Sequence, residues 1–195
     1  MDNIIQLKIT LKDSKPPIWR RILVEKNTTF ERLHYIIQLT MGWSDSHLHD
    51  FEVNKQHISI TDEESDADTV DSTSVRLENV VASEKDKFLY VYDFGDCWEH
   101  EILVEKFLPT DSKLKYPVCT GGKLCSPPED CGGIPGFYNL VEVLADKKHP
   151  EREEMLDWVG GKFDAEFFDL DDINDGLNSL DDFIEMMRDL KNDFF

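Results

Sequence analysis

Residues 5–11 read Ile5-Gln6-Leu7-Lys8-Ile9-Thr10-Leu11, and this alternation sets Ile5, Leu7, Ile9 and Leu11 on one face of a β-strand. Followed outward, the strand covers 4–12. Lys15-Pro16-Pro17 then turns the chain, because proline fixes its φ and lacks a ladder donor. A return strand over 18–25 carries Ile18, Arg20, Ile22 and Val24 on one side, and the short connection makes the pair a hairpin. Arg20 is odd among apolar neighbours and is expected near an edge or against a carboxylate. Thr28 and Glu31 match a capping box, in which hydroxyl and carboxylate satisfy backbone donors at a helix start. Phe30, Leu33, Ile37 and Met41, widened by Ile36, predict a helix over 29–41 whose stripe packs on the sheet.

After Gly42-Trp43, strands are expected over 47–53 and 57–60, and a short helical turn over 77–81. Residues 62–74 are acidic, rich in Ser and Thr, and read as an exposed loop. Phe88, Tyr90, Tyr92 and Phe94 alternate as a strand with an aromatic face. Gly95-Asp96 is the expected hairpin turn, since glycine tolerates positive φ. The return strand over 97–107 places Trp98, His100, Ile102 and Val104 together. Residues 109–136 are rich in Gly and Pro without a period; a loop this long is usually functional or pinned by ligands. Helices follow over 136–146, 150–159 and 180–191. The fold class is therefore α+β: a mixed or antiparallel sheet of five or six strands on one main helix. A β-grasp-like or roll arrangement is expected, with C-terminal helices covering an edge or end. One domain is expected over 1–195, with a core over 4–178 and an acidic helical tail over 179–195.

The net charge of −20 is uneven: residues 1–40 hold seven Lys/Arg against four Asp/Glu, and the remainder carries −23. A field this negative repels phosphate backbones, which argues against nucleic acid as a partner. A local basic patch at Arg20, Arg21 and Arg32 is the exception to weigh. No apolar run reaches the roughly 18 residues of a membrane span, so no membrane partner is expected. Met1-Asp2-Asn3 passes directly into a strand with no leader pattern, and four cysteines without such a leader point to reduced thiols in the cytoplasm.

Several motifs occur in order. They are Pro16-Pro17-Ile18-Trp19-Arg20-Arg21, Met41-Gly42-Trp43 with Ser46-His47-Leu48-His49, and Tyr92-Asp93-Phe94-Gly95-Asp96 with Trp98 and His100. Pro127-Pro128-Glu129-Asp130-Cys131-Gly132-Gly133 and His149-Pro150 leading to Trp158 complete the set. Over residues 4–178 the chain resembles the plasmid pRiA4b ORF-3-like family, also labelled as passenger proteins of an insertion element. The resemblance implies a prokaryotic, single-domain α+β protein associated with plasmids or mobile elements, and it implies no particular reaction. Relatives tend to read Cys-Pro-Pro-Glu-Asp, whereas here Ser126 precedes the prolines and the thiol is Cys125.

The loop over 117–136 is expected to close on the Gly95-Asp96 turn, gathering Asp93, Asp96, Trp98, His100, Glu129 and Asp130 as candidate ligand-binding residues. Burial near Trp98 or Tyr92 would raise a carboxylate pKa and make an acid–base pair. The structural alternative has Asp96 accepting turn hydrogen bonds, Glu129 and Asp130 capping a turn, and Asp93 pairing with Arg20. His47 and His49, two apart, would share one face of a strand. With His100 and Asp96 or Glu129 they are candidate metal ligands that would activate water; packing histidines are the alternative. Cys119, Cys125 and Cys131 recur with five residues between them, without the tight pair usual in structural zinc sites. They read as a metal site, with zinc as the candidate cofactor, as a redox pair, or as ordinary thiols.

Other signatures fail. Gly121-Gly122-Lys123-Leu124 lacks the spacing of a phosphate loop, and His100-Glu101 has no second histidine to complete a zinc-protease helix. Ile173 occupies a ligand position of a calcium loop over 171–182, and no nucleophile elbow is present. The leading expectation is a non-enzymatic binding or accessory module that holds a protein or small molecule at the junction. The alternative is a metal-assisted hydrolase. A third reading is nucleic-acid handling by the basic hairpin.

Overall fold

The first two strands pair as their alternation requires. β1 (Asp2–Leu11) and β2 (Trp19–Glu25) are antiparallel, with Ile5 opposite Val24 and Ile9 opposite Arg20. The computed structural model describes residues 2–61 and 68–194. Around the hairpin lie β3 (His49–Val53), β4 (Gln56–Ser59), β5 (Val70–Asp71), β6 (Lys87–Tyr92), β7 (Trp98–Pro109) and β8 (Val118–Lys123). The sheet runs β5-β4-β3-β6-β7-β1-β2-β8, antiparallel except for the β4–β5 pair. The protein is α+β with a mixed sheet of eight strands, not five or six.

The two additional strands sit at the edges, where sequence signals are weakest. β5 is two residues long and lies in the segment read as an exposed loop; Ser72 beside it is fully buried. Residues 62–67 of that expected loop lie outside the described residues. β8 contains Gly121 and Gly122, which erase the alternation that marks a strand. The second glycine is needed for packing: a Cβ there would lie 2.3 Å from the Phe168 ring.

One face of the sheet is apolar and covered. Ile5, Leu7, Ile9, Ile22, Phe51, Tyr90 and Ile102 are buried beneath helices. α1 (Phe30–Met41) supplies Phe30, Leu33, Ile36 and Ile37, and the Phe30 ring meets Phe51 edge-on at 5.0 Å. Each such buried side chain contributes about 1.5–3 kcal/mol. The N-cap is Thr29, not Thr28: its Oγ1 accepts from the Arg32 amide at 3.2 Å. Thr28 uses its own carbonyl to hold the Leu77 amide at the start of α2 (Leu77–Val80).

The expectation of one main helix needs correction. α3 (Gly133–Ala145) and α4 (Arg152–Trp158) follow the Gly/Pro loop; then α5 (Leu170–Asn178) and α6 (Leu180–Phe194) both pack against α1. α5 is a helix that the hydrophobic pattern does not show, because its apolar residues are few among aspartates. Asp169 caps it by accepting from the Asp171 and Asp172 amides, so the stretch tested as a calcium loop is helical instead. α6 buries Leu180, Ile184 and Met187 and is tied to α1 by Arg188–Glu31 and Arg32–Asp181 pairs.

Arg20 is buried, but neither an edge nor a carboxylate explains it. Its guanidinium donates to the carbonyls of Thr40, Trp19 and Lys123 and to Ser126 Oγ, and stacks 5.0 Å from the Phe168 ring. Burial lowers its pKa to about 10. Arg21 points to the opposite face and clamps Glu105. The three arginines therefore serve three different places, and no common basic patch results.

Candidate functional site

The β6–β7 connection is a five-residue loop closed by the Cys97 amide on the Asp93 carbonyl at 2.6 Å. Positive φ falls on Asp93 and Cys97, both at 56°, and not on Gly95. Asp93 stabilises this geometry itself: its Oδ1 accepts from the amides of Gly95 at 2.9 Å and Asp96 at 3.3 Å. A short polar side chain that bonds its own backbone tolerates the left-handed region, which explains how glycine is not required there. The alternation also stops early, so Phe94 lies outside β6 and is largely exposed.

Against this turn lies the cysteine-bearing loop. Asp96 Oδ2 accepts from the Gly132 amide at 3.0 Å. Gly133, with φ 66°, comes so near that a Cβ would sit 2.6 Å from the Asp96 carbonyl oxygen. Glu129 Oε1 accepts from Tyr92 OH at 2.5 Å, and its Oε2 accepts from the Ser44 amide and hydroxyl at 3.0 and 2.6 Å. Burial, together with Glu129, pushes the Tyr92 phenol far above its ordinary range. Trp43 stacks on Tyr92 with ring centroids 4.9 Å apart and donates its indole N–H to the Pro127 carbonyl at 2.9 Å. These bonds fasten three separate motif blocks into one seam.

His47 stands at the open end of the seam. Its Nε2 lies 3.2 Å from Asp130 Oδ1 and 3.7 Å from Asp93 Oδ2. Of the six candidate ligand-binding residues, Asp93, Asp96, Glu129 and Asp130 therefore meet here. Trp98 and His100 are interior. His100 Nδ1 donates to the Trp98 carbonyl at 2.9 Å, and burial pushes its pKa down to about 4.

The candidate metal residues are dispersed. His49 stacks flat on His34 with centroids 3.5 Å apart, inside the protein, whereas His47 precedes β3 and faces the two aspartates. Cys119 sits in β8, where its backbone exchanges hydrogen bonds with the Asn174 side chain of α5. Cys125 bonds the Ala165 carbonyl through its amide. Burial raises all three loop thiols, Cys125 to about 11 and Cys131 to about 12, which disfavours the thiolate a metal or a redox reaction needs. Among the described residues the histidine–carboxylate groups of ligating size are His34–Asp45–His49 and His47–Asp93–Asp130. No cysteine belongs to either.

The sequence reading missed the first of these. His34 Nδ1 meets Tyr90 OH and its Nε2 meets Asp45 Oδ1, both at 2.8 Å. Gln38 closes the circuit by donating to Tyr90 OH and accepting from the Asp45 amide, each at 3.0 Å. Taking the phenol as donor to Nδ1 leaves the Nε2 proton for Asp45, which accounts for each of these bonds with a neutral imidazole. The available signal was His34 and Gln38, four residues apart on a helix and adjoining its apolar stripe.

Beside the seam the surface is concave. A groove of about 760 Å3 runs between the 125–129 stretch and the segment from Trp158 to Phe167. A second cleft of about 250 Å3, with Asp130, Cys131, Leu140, Glu154 and Met155 in its walls, shares Trp158 with the first. Trp158 is 49% and Phe167 58% exposed, which is unusual for side chains that size and marks this wall as unfilled.

A family model described as plasmid pRiA4b ORF-3-like protein matches residues 3–172. An uncharacterized protein, y4hQ, of Sinorhizobium fredii is 33% identical over 180 residues, which cover 91% of this chain and 92% of that one. The crystal structure of a protein of unknown function, MM3350, from Methanosarcina mazei Go1 superposes with a TM-score of 0.80 at 38% identity. That match covers 87% of this chain and 96% of the other.

Proposed function

The chain belongs to the plasmid pRiA4b ORF-3-like family, and on that premise we propose that it is a non-enzymatic binding or accessory module whose groove receives a basic segment of a protein partner. The observation that carries this reading is Trp158, exposed between two clefts whose walls hold Glu129, Asp130, Glu154 and Asp164 against one cation, Lys162. An aromatic face beside carboxylates attracts Lys or Arg through cation–π contact and charge, worth about 0.5–2 kcal/mol per cation. Phe163 and Phe167 add apolar wall for the stem of such a side chain. The overall charge of −20 would draw a cationic partner in from a distance.

The test is titration of the purified protein with an octapeptide rich in Arg and Leu and with its Glu-for-Arg counterpart. Saturable binding of the basic peptide alone is expected, weakening as salt rises and at least tenfold weaker in Trp158→Ala. Equal affinity for both peptides, or no change in the variant, would reject the assignment.

A further inference from the structure

We infer that His47, Asp93 and Asp130 form a binding site for one first-row divalent cation, Zn2+ or Mn2+, at the mouth of the seam. The three side chains come from separate segments, yet one ligand atom from each lies within 4.8 Å of the others. The Nε2 of His47 is enclosed, and it makes no hydrogen bond among the described residues although carboxylate oxygens stand 3.2 and 3.7 Å away. Those separations suit shared ligation. Donors about 2.0–2.2 Å from a tetrahedral ion are about 3.3–3.6 Å apart along the edges of its polyhedron.

Asp93 is held for this role. It is buried at the turn, and its Oδ1 is committed to the Gly95 and Asp96 amides, which aims Oδ2 at His47. Hydrogen bonds to the oxygen that does not ligate fix a carboxylate in place and tune the ion it holds. Asp130 has a largely exposed side chain and also lines the smaller cleft, so the ion would keep positions open toward solvent. One imidazole with two carboxylates suits Zn2+ or Mn2+ better than a soft, thiolate-seeking ion. The interior group differs: His34 already spends both ring nitrogens on Tyr90 and Asp45. Asp130 borders both the ion site and the smaller cleft, so the ion is titrated without peptide and the peptide without ion, and each result stands by itself.

The experiment is calorimetric titration of the dialysed, reduced full chain with ZnCl2 and separately with MnCl2. One equivalent of at least one ion should bind with a micromolar or tighter Kd. Asp93→Asn and Asp130→Asn should each weaken binding at least tenfold, the first keeping the Oδ1 acceptor and the second altering an exposed side chain. Cys131→Ala should leave the affinity unchanged. Circular dichroism of each variant verifies its fold. No saturable binding of either ion, undiminished affinity in the folded Asp130→Asn protein, or loss of binding in Cys131→Ala overturns the site.

Discussion

Two histidine–carboxylate clusters lie among the described residues, and they use the same chemistry to opposite ends. In the interior, His34, Asp45, Tyr90 and Gln38 form a circuit: three side-chain hydrogen bonds, and a fourth from the Asp45 backbone amide to the Gln38 side chain. At the rim, His47 faces Asp93 and Asp130 at distances too long or too poorly aligned to close, and Asp130 reaches into water. A polar network linked in low dielectric specifies a fold, because every broken link strands a buried partner. An unsaturated one at a surface is available to a ligand. Residue type alone does not separate the two; burial and hydrogen-bond geometry do.

The largest effect should come from breaking the interior circuit. His34→Ala strands Asp45 and Tyr90 together and should cost about 3–5 kcal/mol, read as a lowered urea midpoint. A midpoint within error of the parent would erase the distinction between the clusters. Next is acid sensitivity. Because burial sets the folded pKa of His100 near 4, against 6.5 unperturbed, the unfolded chain protonates first as pH falls. The neutral imidazole therefore contributes fully above pH 6.5, and its contribution is lost between about 6.5 and 4, totalling about 3 kcal/mol. His100→Gln should flatten the slope of unfolding free energy against pH across that window, whatever it does to the absolute value.

The seam between the regions should respond less. Trp43→Phe removes the indole donor and leaves the Pro127 carbonyl unpaired, at about 1–3 kcal/mol. Hydrogen exchange should quicken at the Gly132 and Gly133 amides if the loop loosens as a unit; unchanged exchange there would mean that the other fastenings suffice. Smallest of all, Asp130→Asn should change stability by less than about 1 kcal/mol, as exposed ion pairs do. A loss comparable to that of His34→Ala would make the rim a structural cluster like the interior one.

Much of the architecture was legible where hydrophobic periods are long. The β1–β2 hairpin, α1 and the aromatic strand β6 follow from alternation and a 3.6-residue stripe. β8 was not, because Gly121 and Gly122 erase the strand signal, the second of them leaving room for the Phe168 ring and the Trp19 carbonyl. α5 was obscured by its aspartates, and Phe94 continued a pattern that the Asp93 turn had already ended. Within the site, the proximity of the Glu129 block to the Tyr92 turn was foreseeable from composition and loop length. The division of its histidines was not: His47, His49 and His100 look alike in one dimension, yet one reaches a rim and two are interior.

By itself the chain determined its local preferences: which stretches extend, which coil, and how its charge is distributed. Tertiary packing alone decided which polar groups found each other. A hydrogen bond or a ligand site depends on distances of about 3 Å between residues tens of positions apart, and local pattern carries no record of those distances.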